Sequence, residues 1–370
     1  MDRRHFIHIV NTLGFGSVLP ASAETTGVAR RLVERTKSIV LTEGIRNGLR
    51  FGLVGVGGIG SHLLRDIAER LPDKCRTVAI NTHVDSLLRL ETDRKIRIGD
   101  IDDEPVKSDF ARRGVVMRFA RSAIPEIADA VAGLDMVLLV AGMGGVAGTV
   151  ISPIVAQVLR EQGIFTLGLP LLPWHCEGWR RNKIARYGVR ELGLHSDSLL
   201  PISNDAFVQV ADESATFDDL MNQIALSIVQ LCRSITNTVA VNGQMSVDLE
   251  LFRAIVSHEG HLAFGYGSAS GPNRAVIATT HAINHPMLGK QSLQQASDVL
   301  IAVEADPQIL SIDEQKYIIS HLKKRLAPDA SVIFSATAEL AGDDDLRVSV
   351  LASGIRDARA LMGTNLLRYV

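Results

Sequence analysis

Two glycine clusters hold the residue types and spacing that could do chemistry in this chain. The first is Gly55-Val56-Gly57-Gly58-Ile59-Gly60, and the second runs from Ala141-Gly142-Met143-Gly144-Gly145 through Val146-Ala147-Gly148-Thr149-Val150. Each follows a short apolar run, LRFGLVGV at 49–56 and DMVLLVA at 135–141, and each precedes a helical pattern. Glycine at a strand-to-helix turn lets backbone N–H groups approach a phosphate at the positive end of a helix, with no Cβ in the way. The chemistry on offer is phosphate binding. Alone, the first cluster is Gly-x-Gly-x-x-Gly, the dinucleotide fingerprint. That reading wants an acidic residue about twenty positions on, at the end of the second strand, to hold a ribose hydroxyl. The second strand, 77–81, instead ends Ala79-Ile80-Asn81-Thr82-His83, with Asp85 further into the loop. This makes an NAD-dependent oxidoreductase a remote alternative. A second phosphate loop is what a nucleotide wrapped by several strand-to-helix loops requires.

These loops need a frame. Apolar runs at 49–56, 77–81, 135–141 and 164–171 alternate with helical patterns from Ser61 to Leu71, over 111–133 and over 149–162. That alternation predicts an α/β fold with a doubly wound parallel sheet. A long helix is expected from Thr216 to about Val241, with Phe217, Leu220, Ile224, Ile228, Leu231 and Ile235 at core spacing. Runs at 298–303, 331–337 and 346–352 suit a second, smaller α/β domain. The expected division is an N-terminal arm over 1–47, a nucleotide-binding domain over 48–215, a central helix over 216–243, the second domain over 244–355 and a short tail over 356–370.

Composition narrows the function classes. At 370 residues the chain suits two domains and a sizeable core. Its formal charge of −2 carries no basic surplus, so nucleic acid is not an expected partner. Cys75, Cys176 and Cys232 form no Cys-x-x-Cys pair, which argues against a disulfide framework and a cysteine zinc site. His258 and His261 are one residue too close for the His-Glu-x-x-His zinc pattern and read as surface. No apolar run is long enough for a transmembrane helix. The N-terminus pairs Arg3 with Arg4, continues weakly apolar to Leu19 and closes on Ala21-Ser22-Ala23. That resembles a twin-arginine export signal. His8, Asn11 and Thr12 interrupt it, so a short amphipathic arm stands beside the export reading, and cytoplasm and periplasm both stay open. Membrane contact, if any, would use this arm.

From about Arg50 to about Gly354 the chain resembles the FtsZ/tubulin family. The resemblance rests on segments that match in order and spacing. They are the first glycine loop, Asn81-Thr82, the stretch from Gly133 through Asp135 to Gly145, Pro173, Glu177-Gly178 with Arg181, and Asn204-Asp205. In the second domain they are Ala269-Ser270-Gly271 with Arg274-Ala275, and Arg347 through Gly354. The resemblance implies a tubulin-like fold, GTP or GDP as ligand with or without Mg, and head-to-tail self-association. It places nucleotide on Gly57, Gly58, Gly60, Asn81, Gly142, Gly144, Gly145, Gly148 and Thr149. Glu177 and Arg181 would hold the ribose, Leu220 and Ile224 would cover the base, and Asp248 and Glu250 would face the neighbouring subunit's nucleotide.

Departures from the family pattern bear on turnover. The family's loop is Gly-Gly-Gly-Thr-Gly-Ser/Thr-Gly; here Val146 and Val150 replace glycines and Ala147 replaces the threonine. A β-branched residue resists positive φ, so the valines are expected to restrict the loop. Where the family has Gly-Ala-Gly-Ala-Asn-Pro against the terminal phosphate, this chain has Ile101-Asp102-Asp103-Glu104-Pro105, whose acids would repel it. With Leu220 and Ile224 at the base, an apolar pair cannot hydrogen-bond its edge; Asn222 is an alternative reader. The family's hydrolytic Asn-x-Asp-x-x-Asp appears as Ser246-Val247-Asp248-Leu249-Glu250-Leu251, and a hydrocarbon cannot polarise water. The expectation is a GTP-binding, filament-forming protein with slow or absent hydrolysis. The alternative is a non-enzymatic scaffold that has lost the nucleotide altogether. The chain runs about sixteen residues past Gly354, so recruitment through the family's linker and terminal peptide is not expected.

Overall fold

The computed structural model describes residues 49–67, 70–72, 75–99, 109–240, 247–289, 292–306, 310–337 and 344–356. The paired arginines of the N-terminus, the acidic stretch at 102–104, Ser246 and the tail lie outside the described residues.

The first sheet is built in chain order. Strand β1 (Phe51–Val56) feeds helix α1 (Gly57–Ile67), then β2 (Arg76–Asn81), the short α2 (Val84–Leu88) and β3 (Arg94–Arg97). Helices α3 (Asp109–Ser122) and α4 (Ile124–Val131) lead to β4 (Met136–Gly142) and α5 (Val146–Glu161). Then come β5 (Phe165–Leu172), a 3₁₀ turn at His175–Glu177, α6 (Trp179–Gly193), the two-residue strands β6 (Ser198–Leu199) and β7 (Ile202–Ser203), and α7 (Asn204–Val208). The strand order is β3-β2-β1-β4-β5-β6, with β7 beside β5, and every pairing is parallel. Strands buried on both faces explain the unbroken apolar runs at 51–56, 136–142 and 165–172. One helical pattern, 111–133, becomes two helices. Pro125 sits in the first turn of α4, where its missing N–H costs nothing, and Ala123 joins the two.

Helix α8 (Phe217–Ala240) follows, then α9 (Leu249–Val256). The second sheet combines β8 (His261–Ala269), β9 (Asp298–Ala305), β10 (Ser331–Thr337) and β11 (Leu346–Ile355), flanked by α10 (Arg274–Ile283), α11 (Ser292–Gln295) and α12 (Ile312–Lys323). Its order is β10-β9-β11-β8; β10 and β9 run parallel and β11 antiparallel to both neighbours. Strand β8 has no apolar run to announce it, because Gly265 and Gly267 interrupt it. Any Cβ there would overlap the Ala282 and Ala278 carbonyl oxygens of α10, so the glycines let the helix seat on the strand. One apolar cluster joins the first sheet, through Leu138 and Leu167, to Ile228 and Leu231 of α8 and to Phe264 and Leu351 of the second sheet. Among the described residues no helix is long and apolar enough to cross a membrane.

His258 and His261 do not behave alike. His258 pairs with Asp298 at the start of β9 and is partly exposed, while His261 opens β8 half-buried, where desolvation lowers its pKa.

Candidate functional site

The strand order reverses between β1 and β4, and open α/β sheets bind ligands in the crevice beyond the strand ends at such a point. Register brings three strand ends level there: Val56 lies opposite Ile80 of β2 on one side and Ala141 of β4 on the other. Asn81, Gly57 and Gly142 are therefore the next residues along one rim. A cavity of about 350 Å³ opens on it. Gly58, Gly142, Gly145 and Gly148 line it together with Asn81, so the two glycine clusters face a single space.

Each glycine has a distinct reason to lack a side chain. Gly57 takes φ +74°, and a Cβ there would stand 2.9 Å from the backbone nitrogen of Gly148. The two loops thus touch main chain to main chain. A Cβ on Gly148 would overlap the Gly142 carbonyl oxygen, and one on Gly60 would stand 2.9 Å from the Val140 carbonyl oxygen. Gly58 and Gly145 have nothing within 4 Å of an added Cβ. These two are the open positions through which a ligand can approach the backbone.

The amino termini of α1 and α5 converge on this space. The first N–H groups of a helix have no intrahelical acceptor, and no side chain caps α5. Its Val146, Ala147 and Gly148 all line the cavity. Such a pair of helix starts is an anion cradle. The positive-φ residue of the second loop is Gly144, at +90°. Val146 and Val150 lie inside α5, in ordinary helical conformation, so the expected restriction by the valines does not arise. Thr149 departs from its expected role. Its hydroxyl is buried and accepts a hydrogen bond from the Gly144 N–H at 3.0 Å, so it holds the loop's shape and is turned away from the cavity.

Asn81 is fully buried. Its amide donates to Ser61 Oγ of α1 at 3.1 Å, and its carbonyl oxygen accepts from the Thr82 N–H at 2.8 Å. It therefore ties the end of β2 to α1. Arg181 lines the cavity from α6, and its Nε contacts Glu177 Oε2 at 2.9 Å. The other Glu177 oxygen accepts from the Trp174 N–H at 2.8 Å. Glu177 thus orients Arg181 while anchoring the 3₁₀ turn.

Leu220 and Ile224 need correction. They are 9% and 1% exposed and belong to the core shared by both sheets, so neither can cover a base. The exposed face of α8 near its start carries Phe217 and Asn222 instead. Phe217 meets Trp174 edge-on, ring centroids 5.3 Å apart. Beside this corner two buried polar atoms lack a hydrogen-bond partner, Trp174 Nε1 and Asn204 Oδ1.

Arg112 of α3, lining the same cavity with His83, was not anticipated. An arginine near a helix start reads as solvated surface, and nothing in the spacing separates it from Arg113 or Arg118.

Asp248 and Glu250 do not line this cavity. Asp248 is the N-cap of α9, its carboxylate accepting from the Leu251 N–H at 2.7 Å, and Glu250 pairs with Arg253 at 3.2 Å. Arg253 donates to the Asp135 carbonyl at 3.2 Å and lies over the Phe165 ring, residues at the starting ends of β4 and β5. A strand of seven residues such as β4 spans about 20 Å. The acids and the glycine loops thus sit at opposite poles of the first sheet.

Known relatives agree with this architecture. The chain matches the Tubulin/FtsZ family GTPase domain over residues 51–212 and the FtsZ family C-terminal domain over residues 260–356. This chain belongs to the FtsZ/tubulin family. It is 33% identical over 311 residues to the cell division protein FtsZ of Caulobacter vibrioides, covering 84% of this chain and 60% of that one. To cell division protein FtsZ 2 of Rhizobium meliloti it is 29% identical, covering 84% of this chain and 90% of the relative. The chain thus spans about three fifths of the length of its Caulobacter FtsZ relative. The fold superimposes on an empty FtsZ dimer of M. jannaschii with a TM-score of 0.72 at 24% identity, covering 89% and 92% of the two chains. It superimposes on CetZ2 from Haloferax volcanii, a GTPgS-bound protofilament, with a TM-score of 0.68 at 20% identity, covering 85% and 95%.

Proposed function

We propose that this FtsZ-family chain binds GTP or GDP in the cavity between its two glycine loops, stacks head to tail, and hydrolyses GTP slowly or not at all. One observation carries the reading: Gly57 and Gly148 meet with no room for a Cβ, beside two open glycines and two helix amino termini. A rim of free N–H groups with Arg112 and Arg181 suits a polyphosphate. The base would rest against the Trp174–Phe217 corner, where Asn204 Oδ1 and Trp174 Nε1 await partners.

Stacking follows from the opposite poles. Asp248 and Glu250 cannot reach the cavity of their own chain, so a second copy must present them. A head-to-tail contact of this kind does not close on itself and extends into a filament. Slow turnover follows from what that pole offers. Asp248 is engaged as a helix cap, Glu250 is paired, and Leu251, 37% exposed, brings hydrocarbon where a carboxylate would position water.

The test is phosphate release from labelled GTP across a range of protein concentrations, with pelleting in parallel. The wild type is expected to bind and pellet with little release. Leu251→Asp is expected to raise release by roughly tenfold or more, steeply with protein concentration, because the added acid acts on a neighbour. Absence of binding at millimolar nucleotide would sink the reading and leave the scaffold alternative.

A further inference from the structure

A second cavity lies on the same side of the first sheet as α5. Helices α3 and α6 both pack against α5, and between the three runs a groove of about 550 Å³. Its body is apolar, formed by Met117, Val150, Pro153, Ile154 and Tyr187. Met117 and Tyr187 are 39% and 59% exposed, a large apolar surface left open to water.

Two polar groups interrupt that surface. Arg113 lines the groove, and its Nε is buried without any hydrogen-bond partner. A buried donor left unmade is costly, so a shift of the Arg113 side chain that turns this one toward an acceptor brought by a ligand is favoured. Pro153 lies inside α5 and has no N–H, so the Thr149 carbonyl, four residues earlier, lacks its ordinary helical donor. The charged groups of the lining are Arg113 and Arg121 from α3 and Glu191 from α6, with His195 beside them, leaving a net positive lining when His195 is neutral. Length is also defined. The lining stretches Arg113–Arg121 and Thr149–Gln157 each rise about 12 Å along their helices, and the third runs from Tyr187 in α6 to His195 in the turn after it.

We propose that this groove binds a small amphipathic acid, an unbranched alkyl chain of about ten carbons whose carboxylate accepts from Arg113. The alkyl chain lies along Met117, Ile154 and Tyr187, and the head satisfies the orphan Nε. Charge-assisted hydrogen bonds are roughly twice as strong as neutral ones, so an acid is selected over an alcohol of equal length. The proposal is independent of the nucleotide reading, since this groove shares no lining residue with the cavity between the glycine loops.

Calorimetric titration of the full chain with decanoate, decanol and hexanoate, all below micelle formation, tests it. The wild type should bind a single decanoate saturably, at least tenfold tighter than decanol. Hexanoate should bind far more weakly, because each buried methylene is worth about fourfold. Arg113→Gln should bring decanoate and decanol to within about threefold of each other. Gly114→Trp should block both: Gly114 lines the groove and has nothing within 4 Å of an added Cβ, so the indole fills the space without forcing the backbone. Circular dichroism melts confirm that both variants fold. Non-saturable decanoate uptake, or equal affinity in wild type, Arg113→Gln and Gly114→Trp, overturns the proposal. So does a groove that refuses decanoate while Gly114→Trp disrupts self-association, which would assign it to a second copy of the chain.

Discussion

Arg253 donates from Nη2 to the carbonyl oxygen of Asp135 across 3.2 Å, and this bond fixes the pole at which Asp248 and Glu250 stand. Asp135 precedes β4, and Gly142 closes the same strand at the cavity. The guanidinium also lies 5.5 Å above the Phe165 ring. Arg253→Ala is therefore expected to cost about 1–2 kcal/mol in chemical denaturation. Nucleotide affinity should be unchanged and pelleting reduced, since the variant loosens the donated pole and leaves the cavity intact.

The glycines of the rim are not equivalent. Gly57→Ala forces a side chain to φ +74° and 2.9 Å from the Gly148 nitrogen, and should lower GTP affinity more than tenfold. Gly145→Ala adds a methyl group into open space at φ −88°, so it leaves the loop unstrained but stands where a ligand approaches the backbone, and it should lower affinity without a cost in stability. Filter binding with labelled GTP on both variants compares them directly. Thermal melts separate the causes: Gly57→Ala should lower the melting temperature and Gly145→Ala should not, and equal melts would mean that the loops do not meet as described.

Glu304 of β9 and Arg347 of β11 form an ion pair at 3.0 Å, 2% and 5% exposed. Burial raises the Glu304 pKa and Arg347 opposes that shift. Removing one partner strands the other charge, so Arg347→Met should destabilise by about 3–5 kcal/mol in urea unfolding. Glu304→Gln combined with Arg347→Met should recover most of that loss. A double variant no more stable than the single would contradict an energetically coupled pair.

Acid should weaken the fold in two steps with separate owners. His285 is half-buried between α8 and β8, and desolvation lowers its pKa to about 4. It sits beside Ser227 Oγ at 3.2 Å and against the Tyr266 ring. The folded state favours the neutral ring, so stability is full above about 6.5 and falls as pH drops from there toward 4, by about 3 kcal/mol at most. Glu314 is held at about 2, chiefly by its hydrogen bond from Arg274. Its contribution is present above the ordinary carboxylate pKa and is lost below it, toward pH 2. Thermal melts between pH 7 and 4.5 should flatten in His285→Phe, while Glu314→Gln should alter mainly the more acidic part.

The parallel sheet was legible because strands buried on both faces leave unbroken apolar runs. That the two glycine loops belong to one site was legible because each lies between a strand and a helix, and the structure opens both on one cavity. Strand β8 was not, since Gly265 and Gly267 serve helix packing and erase the strand pattern. Leu220 and Ile224 were assigned to a base although they stand at core spacing, and burial won. Thr149 was assigned to phosphate because a hydroxyl in a glycine loop can serve a ligand or the loop itself, and sequence does not say which. Arg112 was missed because a charge on a helix gives no sign of what it faces. The separation of Asp248 from its own cavity is implied by the family resemblance, which turns that acid toward a neighbouring subunit; no local spacing encodes the sheet's two ends.

Filaments, turnover and the donated acids all depend on the paired glycine loops holding a guanine nucleotide. Equilibrium binding of labelled GTP to the purified full chain, beside Gly57→Ala, measures this directly. Saturable binding near one nucleotide per chain is expected in the wild type, with affinity at least tenfold weaker in the variant. No binding at millimolar GTP, or binding that Gly57→Ala leaves unchanged, contradicts the nucleotide reading.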